Sequence, residues 1–276
     1  MSKLIIDAMG GDKGSQIVVD ALISYLGKYP ETSFTVVGKK EELVALEGKC
    51  AVVDARDVVP MEAGAIEAMR MKESSMYKAL VLYKDGGYDG IASCGSTGAF
   101  LSLATLILKN IPGIKRAALV APFPTRIKNK YVILLDAGAS NENSPEEMVQ
   151  FALMGRYYYQ AVYDKENPNV QLLSNGTEEH KGSPNGQVAY KLLKEKNFPG
   201  FKGNIEAREV CSGEADVVVS DGYTGNIFVK SSEGMAKTIG SMMKSTFKKN
   251  IFTKIGYLFV KSGIKQMSET MDYRST

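Results

Sequence analysis

Few of the chemistries most easily read from sequence are open to this 276-residue chain. It carries one histidine, His180, so zinc sites and catalytic triads that need two are excluded. The cysteines Cys50, Cys94 and Cys211 lie far apart, form no CxxC pair and are odd in number, which argues against a disulfide framework. Neither a metal nor a cofactor is expected. No apolar run approaches the roughly 20 residues that span a bilayer. Lys3-Leu4-Ile5-Ile6 runs straight into Asp7 without a secretory leader pattern, so a cytoplasmic location is expected. Neither sign of charge dominates: 34 basic against 31 acidic residues leave +3, too mild to imply nucleic acid. The phosphate signatures G-x-G-x-x-G after a strand and G-x-x-x-x-G-K-[ST] are both missing. No internal repeat, linker or low-complexity segment interrupts the chain.

What is present is a rhythm. Short unbroken apolar runs recur at Leu4–Ile6, Phe34–Val37, Ala51–Val53, Gly90–Ala92, Ala117–Val120, Val132–Leu135, Val170–Leu173 and Val217–Val219, each ending near Gly or Asp. They do not alternate with polar residues, so both faces should be covered, as in a largely parallel sheet. Helical patterns lie between them. Ile17, Val18, Ala21, Leu22, Tyr25 and Leu26 fall on one helix face. Ser144-Pro145-Glu146-Glu147 is a helix start continued by Phe151 to Tyr159. Alternating strands and helices predict an α/β fold, read here as a single catalytic domain over 1–276 with a helical appendage near its C-terminal end.

The strand ends resemble one another. Asp7-Ala8-Met9-Gly10-Gly11-Asp12 follows the first run, Ser93-Cys94-Gly95-Ser96-Thr97-Gly98 the fourth, Asp136-Ala137-Gly138-Ala139 the sixth, and Asp221 to Asn226 the last. A fifth corner, Ser174 to Gly182, holds Glu178, Glu179, His180 and Lys181. In parallel sheets such corners share the edge where ligands bind. Glycine admits close approach of backbone N–H groups, and a corner that opens a helix presents unpaired N–H groups and partial positive charge. Ser96, Thr97 and Thr224 offer hydroxyls and Lys181 a full charge. The expected ligand is an anion.

These corners, taken in order from residue 1 to about 275, resemble the phosphate acyltransferase (PlsX) family of bacterial phospholipid synthesis. The resemblance implies the reaction fatty acyl-acyl carrier protein plus inorganic phosphate to acyl phosphate plus free carrier protein. It implies a three-layer α/β/α sandwich like isocitrate and isopropylmalate dehydrogenases and phosphotransacetylases, a homodimer, and delivery of product to a membrane glycerol-3-phosphate acyltransferase. The sequence departs from the family pattern in three places. Ser174-Asn175-Gly176-Thr177 stands where Asn-Ile-Gly-Glu is frequent, and Asp136 to Asn141 reads Asp-Ala-Gly-Ala-Ser-Asn. The family also usually continues past Asp272-Tyr273 with a further strand and helix.

A thioester is already activated, because a thiol leaves readily with an unperturbed pKa near 8.5. The expected chemistry is direct phosphorolysis without an acyl-enzyme. Lys181 would neutralise phosphate or the oxyanion, and Asn226, with N–H groups near Thr224 and Gly225, would orient phosphate or the carbonyl. Ser96, Thr97 and Gly98 would cradle a phosphate. Gly10, Gly11, Asp12 and Asp136 belong to the same binding set. Asp7 and Asp221 would orient Lys181 and backbone donors rather than act as bases. Cys94 is a rival nucleophile if its corner lowers the thiol pKa, although the family usually carries alanine there. His180 reads as a loop-surface residue, and Arg70 and Lys72 as a helix face that can meet phosphate or carrier protein. Two other functions fit the same corners: a phosphotransacetylase-like enzyme using acyl-coenzyme A, and a non-catalytic phosphate-binding, membrane-associated protein.

One stretch, 235–267, stands apart. No acid occurs between Glu233 and Glu269, while Lys237, Lys244, Lys248, Lys249, Lys254, Lys261 and Lys265 do. Ile239, Met243, Phe247, Ile251, Ile255 and Phe259 recur every four residues. A basic amphipathic helix pair broken near Gly256 fits an anionic membrane surface, a dimer contact, or both, and its lysines suit an acidic carrier protein.

Overall fold

Valine, isoleucine and leucine runs become strands where both faces are covered, and here helices supply the cover. The computed structural model describes residues 2–271, with side chains described as far as Lys265. The chain forms two compact units, Met1–Gly113 and Ile114–Thr276, each with its own sheet, where a single domain over 1–276 was expected.

The first unit contains β1 (Lys3–Asp7), α1 (Ser15–Lys28), β2 (Ser33–Gly38), β3 (Ala51–Asp54), α2 (Ala65–Arg70), α3 (Ser75–Asp85), β4 (Gly90–Ser93) and α4 (Thr97–Ile107). Its strands run β3-β2-β1-β4, all parallel. Successive side chains point to opposite faces, and both faces are filled. Leu4, Ile6, Phe34 and Val36 pack against Val18, Val19 and Leu22 of α1. Ile5 and Val37 pack on the other side against Ala79 of α3. A further cluster joins Ala68 of α2, Met76 and Leu80 of α3, and Leu103 of α4. The result is helix, sheet, helix.

The second unit contains β5 (Val120–Pro124), β6 (Tyr131–Leu135), α5 (Pro145–Tyr163), β7 (Val170–Ser174), α6 (Pro184–Glu195), β8 (Phe201–Glu206), β9 (Val217–Val219), α7 (Gly222–Lys248) and α8 (Ile251–Met271). The order is β5-β6-β9-β7-β8, and β5 alone is antiparallel to its neighbour. Ile133, Leu135, Leu172, Val217 and Val219 bury against Met148 and Phe151 of α5 and Leu193 of α6. The alternate residues Val132, Leu134 and Val218 meet Val210 and, from α7, Phe228 and Val229. Full burial of such side chains is worth about 1.5–3 kcal/mol each. This too is a three-layer arrangement. The Ser144 start is a reciprocal cap: its hydroxyl accepts from Glu147 N, and the Glu147 carboxylate accepts from Ser144 N.

Three elements differ from expectation. The run expected at Ala117–Val120 becomes a strand only from Val120 to Pro124, at the sheet edge, where prolines cost no ladder hydrogen bond. β8 has no apolar run behind it, because Gly203 and Asn204 interrupt its pattern. The amphipathic stretch breaks at Lys249-Asn250 rather than near Gly256, which lies inside α8. Asn250 starts the second helix: its side-chain oxygen accepts from Thr253 N at 2.9 Å, and Thr253 Oγ1 accepts from Asn250 N at 3.1 Å. The last two residues of the 235–267 segment lie outside the described side chains. Among the described residues, no helix is long and apolar enough to cross a membrane.

Candidate functional site

In the first unit, β1 and β4 are parallel neighbours, so their corners emerge side by side. Asp7 is 1% exposed and ties them together. Ser93 Oγ donates to Asp7 Oδ2 at 2.6 Å, and Met9 N donates to Asp7 Oδ1 at 3.2 Å. Ser93 Oγ in turn accepts from Gly95 N at 3.1 Å. Burial pushes the Asp7 carboxyl above the usual carboxylate range despite hydrogen bonds from Ser75, Ser93 and Met9. The glycines make the approach possible. Gly10 has φ +86°, and a Cβ there would sit 3.0 Å from Gly95 Cα; one on Gly11 would sit 3.2 Å from Cys94 Cβ. Asp12 is exposed.

The β4 corner opens α4. Ser96 caps that helix by accepting from Ala99 N at 3.4 Å and donates its own hydrogen to Met61 O at 3.2 Å. Its hydroxyl hydrogen is therefore used within the fold, which leaves the Thr97 hydroxyl and the first amides of α4 as donors. Thr97 and Gly98 are exposed. Cys94 is exposed, but burial of its sulfur and the nearby Asp7 charge push the thiol pKa up. The corner thus disfavours the thiolate that a nucleophile needs. Arg70 ends α2, and Lys72 lies just beyond that helix.

In the second unit, β6, β9 and β7 are parallel neighbours, and three corners leave one edge of the sheet. Asp136, 0% exposed, organises the first. Its Oδ1 accepts from Leu119 N (3.1 Å), Gly138 N (3.1 Å) and Ala139 N (2.8 Å), and its Oδ2 from Ser140 N (3.1 Å) and Ser140 Oγ (2.9 Å). Five donors occupy this carboxylate, so in the structure it builds the loop. The neighbouring corner packs against it backbone to backbone. A Cβ on Gly222 would collide with the Ser140 carbonyl, and one on Gly225 with the Asp136 carbonyl. Asn143 locks the arrangement: its Oδ1 accepts from Gly222 N at 3.0 Å, and its Nδ2 donates to Ser140 Oγ at 2.9 Å. Asn143 was not anticipated from sequence, and its one signal is an amide placed between the Asp136 corner and the Ser144 cap.

Asp221 caps α7, accepting from Thr224 N at 2.8 Å and from Thr224 Oγ1 at 2.9 Å. The Thr224 hydroxyl is thereby committed to Asp221, where it was expected to serve a ligand. Asn226 is exposed beside Gly138, whose notional Cβ would lie 3.2 Å from the Asn226 side-chain oxygen. The β7 corner is held by Asn175, whose Oδ1 accepts from Gly182 N at 2.9 Å, and by Asn204 Nδ2, which donates to Glu178 O at 2.8 Å. Glu179 pairs with Lys194 at 2.6 Å. His180 is exposed and Lys181 half-buried. Among the described residues, the Lys181 ammonium and the Asn226 amide make no hydrogen bond or ion pair, and Asp221 does not orient Lys181.

Parallel strands ending in glycine-bearing corners, with side-chain caps at Ser96, Ser144, Ser183 and Asp221 where helices follow, define a layered α/β protein whose Lys181 and Asn226 side chains are left unspent. Solved structures of the same fold include a phosphotransacetylase from Streptococcus pyogenes (TM-score 0.62, 16% identity, 86% of this chain and 82% of that one) and a branched-chain phosphotransacylase from Enterococcus faecalis (TM-score 0.59, 16% identity, 84% and 83%). The family model described as "Fatty acid synthesis protein" matches residues 2–276. Phosphate acyltransferases of Clostridium botulinum (41% identity, 99% of this chain, 84% of the relative) and Thermosipho melanesiensis (39%, 99% and 82%) are similar along almost the whole chain. The chain belongs to this fatty acid synthesis family, the phosphate acyltransferases.

Proposed function

We infer that the chain is an acyltransferase forming acyl phosphate from a fatty acyl thioester of acyl carrier protein and inorganic phosphate. The observation that carries the reading is the match to this family over residues 2–276, and the unpaired Lys181 and Asn226 side chains give it residues. A phosphate oxygen attacks the thioester carbonyl, the carbonyl becomes an oxyanion, and the C–S bond breaks. Hydrogen phosphate supplies the proton that the departing thiolate takes up, so no separate acid is needed. Lys181 neutralises phosphate or the developing oxyanion. Asn226, aided by the first amides of α7, orients the reacting groups. In the first unit, Thr97 and the amides that open α4 offer donors to a phosphate group, and Asp7 holds that corner in shape. Fixed donors at a developing oxyanion are worth about 3–4 kcal/mol, and positioning contributes several more. Cys94 has no part in the step.

The α7–α8 hairpin supports contact with a membrane surface and with a second copy of the chain. Phe252 (80% exposed), Phe259 (82%) and Leu258 (70%) stand in solvent together with Met235 and Met242, far more than the scattered exposed apolar residues of an ordinary surface. Lys248, Lys249 and Lys254 flank the turn. Such a tip suits anionic lipid headgroups, and contact there would bring the product near a membrane glycerol-3-phosphate acyltransferase that consumes it.

The test is phosphate-dependent release of thiol, compared between hexadecanoyl-acyl carrier protein and acetyl-coenzyme A as donors. Turnover of the first is expected. Turnover of acetyl-coenzyme A alone would assign the chain to short-chain chemistry, and tight phosphate binding without turnover of either would make it a binding protein.

A further inference from the structure

Lys181 and Asn226 belong to corners that leave neighbouring strands of one sheet: β7 and β9 are parallel, with Leu172 opposite Val219. Strand pairing places Asn226 closely, because α7 opens at Gly222, just past the end of β9 at Val219. It does not place Lys181, which lies seven residues beyond the end of β7 at Ser174. A free segment of that length reaches roughly 23 Å. Other contacts hold the lysine. Its stem lies over Gly176, where a notional Cβ would sit 2.9 Å from Lys181 Cγ. The residue after it is clamped at both ends. Gly182, at φ +98°, donates its N–H to Asn175 Oδ1 at 2.9 Å, and its carbonyl accepts from Gln187 Nε2 at 3.1 Å. Gln187 lies in the opening turn of α6, so the lysine corner is fastened to that helix.

The start of α6 is tied in turn to the start of α7. Asn185 Nδ2 donates to Asn143 O at 3.0 Å, and Asn143 Oδ1 accepts from Gly222 N at 3.0 Å. Asn226 stands four residues past Gly222, about one turn along the same helix. Asn143 thus receives one helix on its carbonyl and the other on its side chain. It is 2% exposed and also donates to Ser140 Oγ at 2.9 Å, which fixes the middle of the bridge, whereas Asn185 at its end is exposed. The Asn185 bond is not the cap of α6; that is Ser183, which accepts from Gly186 N at 3.2 Å. What the bond sets is the spacing between the lysine corner and the helix that carries Asn226. We propose that Asn185, acting through Asn143, is a positioning residue that holds the Lys181 ammonium in register with the Asn226 amide. The inference rests on the phosphorolysis reading and deepens it, because groups that share one reacting centre lose much of their effect when displaced by about 1 Å.

The exposed end of the bridge is the place to cut it. Asn185→Ala removes the donor. Asn185→Asp keeps the shape but offers a carboxylate, which cannot donate, at an opening-turn position where negative charge favours the helix. Both variants should stay folded, the aspartate one at an unchanged or higher urea midpoint. In phosphate-dependent thiol release from hexadecanoyl-acyl carrier protein, both should lower kcat by about tenfold or more while KM for the carrier protein stays within about twofold. Wild-type kcat in both variants overturns the proposal, and so does a loss confined to aspartate, which would trace to its charge. The effect should also depend on the lysine: Asn185→Ala added to Lys181→Ala should cost no more than about twofold beyond Lys181→Ala alone. A further tenfold step in that background means that the bridge acts elsewhere and refutes the role. A wild-type rate in Lys181→Ala itself would overturn the assignment of Lys181, and the proposal with it.

Discussion

Replacing Asp136 with asparagine separates loop construction from ligand binding. The carboxylate is 0% exposed and accepts from four backbone amides and the Ser140 hydroxyl. Hydrogen bonds to a charged acceptor are worth about 1.5–3 kcal/mol each, and a buried donor left unpaired costs about 1–3 kcal/mol. Asparagine with its carbonyl at the Oδ1 position keeps the amides of Leu119, Gly138 and Ala139 but turns its NH₂ toward Ser140 N. Weaker acceptance by a neutral oxygen and one orphaned amide give an expected loss of roughly 2–4 kcal/mol. Alanine removes every acceptor and should cost roughly 4–6 kcal/mol, close to the whole stability of many domains, about 5–15 kcal/mol. Urea titration followed by circular dichroism reads the asparagine effect as a lower midpoint at unchanged slope. Under folding conditions the variant should keep its KM for phosphate within about twofold. An unchanged midpoint together with a large rise in that KM would refute the assignment of Asp136 to the loop and return it to the ligand.

Substitutions at Gly225, Asp216 and Cys94 give three further expected outcomes. Gly225→Ala drives a methyl group into the Asp136 carbonyl and should destabilise by about 3 kcal/mol or more, visible as a depressed urea midpoint or loss of soluble protein. Asp216 is 0% exposed and lies with Lys130 at 3.1 Å, the Lys165 ammonium and the Asn169 amide; burial alone would raise its carboxyl, but these partners hold it below the usual range. A depressed folded pKa stabilises above the unfolded value near 3.9 and is lost as pH falls through the folded one, so Asp216→Asn should cost about 3–5 kcal/mol at pH 7 and far less near pH 2; equal costs at both would contradict this. Cys94→Ala should retain activity within about twofold, because the thiol is held protonated, whereas loss of turnover would revive the acyl-enzyme route.

The layered α/β architecture and the corners themselves are legible in the sequence, because unbroken valine and leucine runs and the Ser-Pro-Glu-Glu start depend on local chemistry alone. What the corners do with their side chains is not. Ser96, Thr224 and Asp136 look like ligand groups in isolation, yet Ser96 is spent on the distant Met61 carbonyl, Thr224 on the Asp221 cap three residues back, and Asp136 on its own 138–140 loop and the distant Leu119 amide. Asn143 is hidden because its decisive partner, Gly222 N, lies 79 residues away in the chain. β8 escapes notice because an edge strand needs little apolar pattern, and the helix break moves from Gly256 to Asn250 because a capping side chain starts a helix more firmly than one glycine ends it. The family resemblance was carried by the order of corners, which survives even where single residues depart.

Phosphorolysis at the Lys181 and Asn226 corners is read by incubating the chain with hexadecanoyl-acyl carrier protein and phosphate and trapping the product with hydroxylamine. Hydroxamate should appear only with phosphate, one for each thiol released, without acylated protein. It should fall by about 10²–10³-fold in Lys181→Ala and in Asn226→Ala at unchanged unfolding midpoints. Wild-type rates in both variants, or an acyl group covalently held by the chain, would contradict the account.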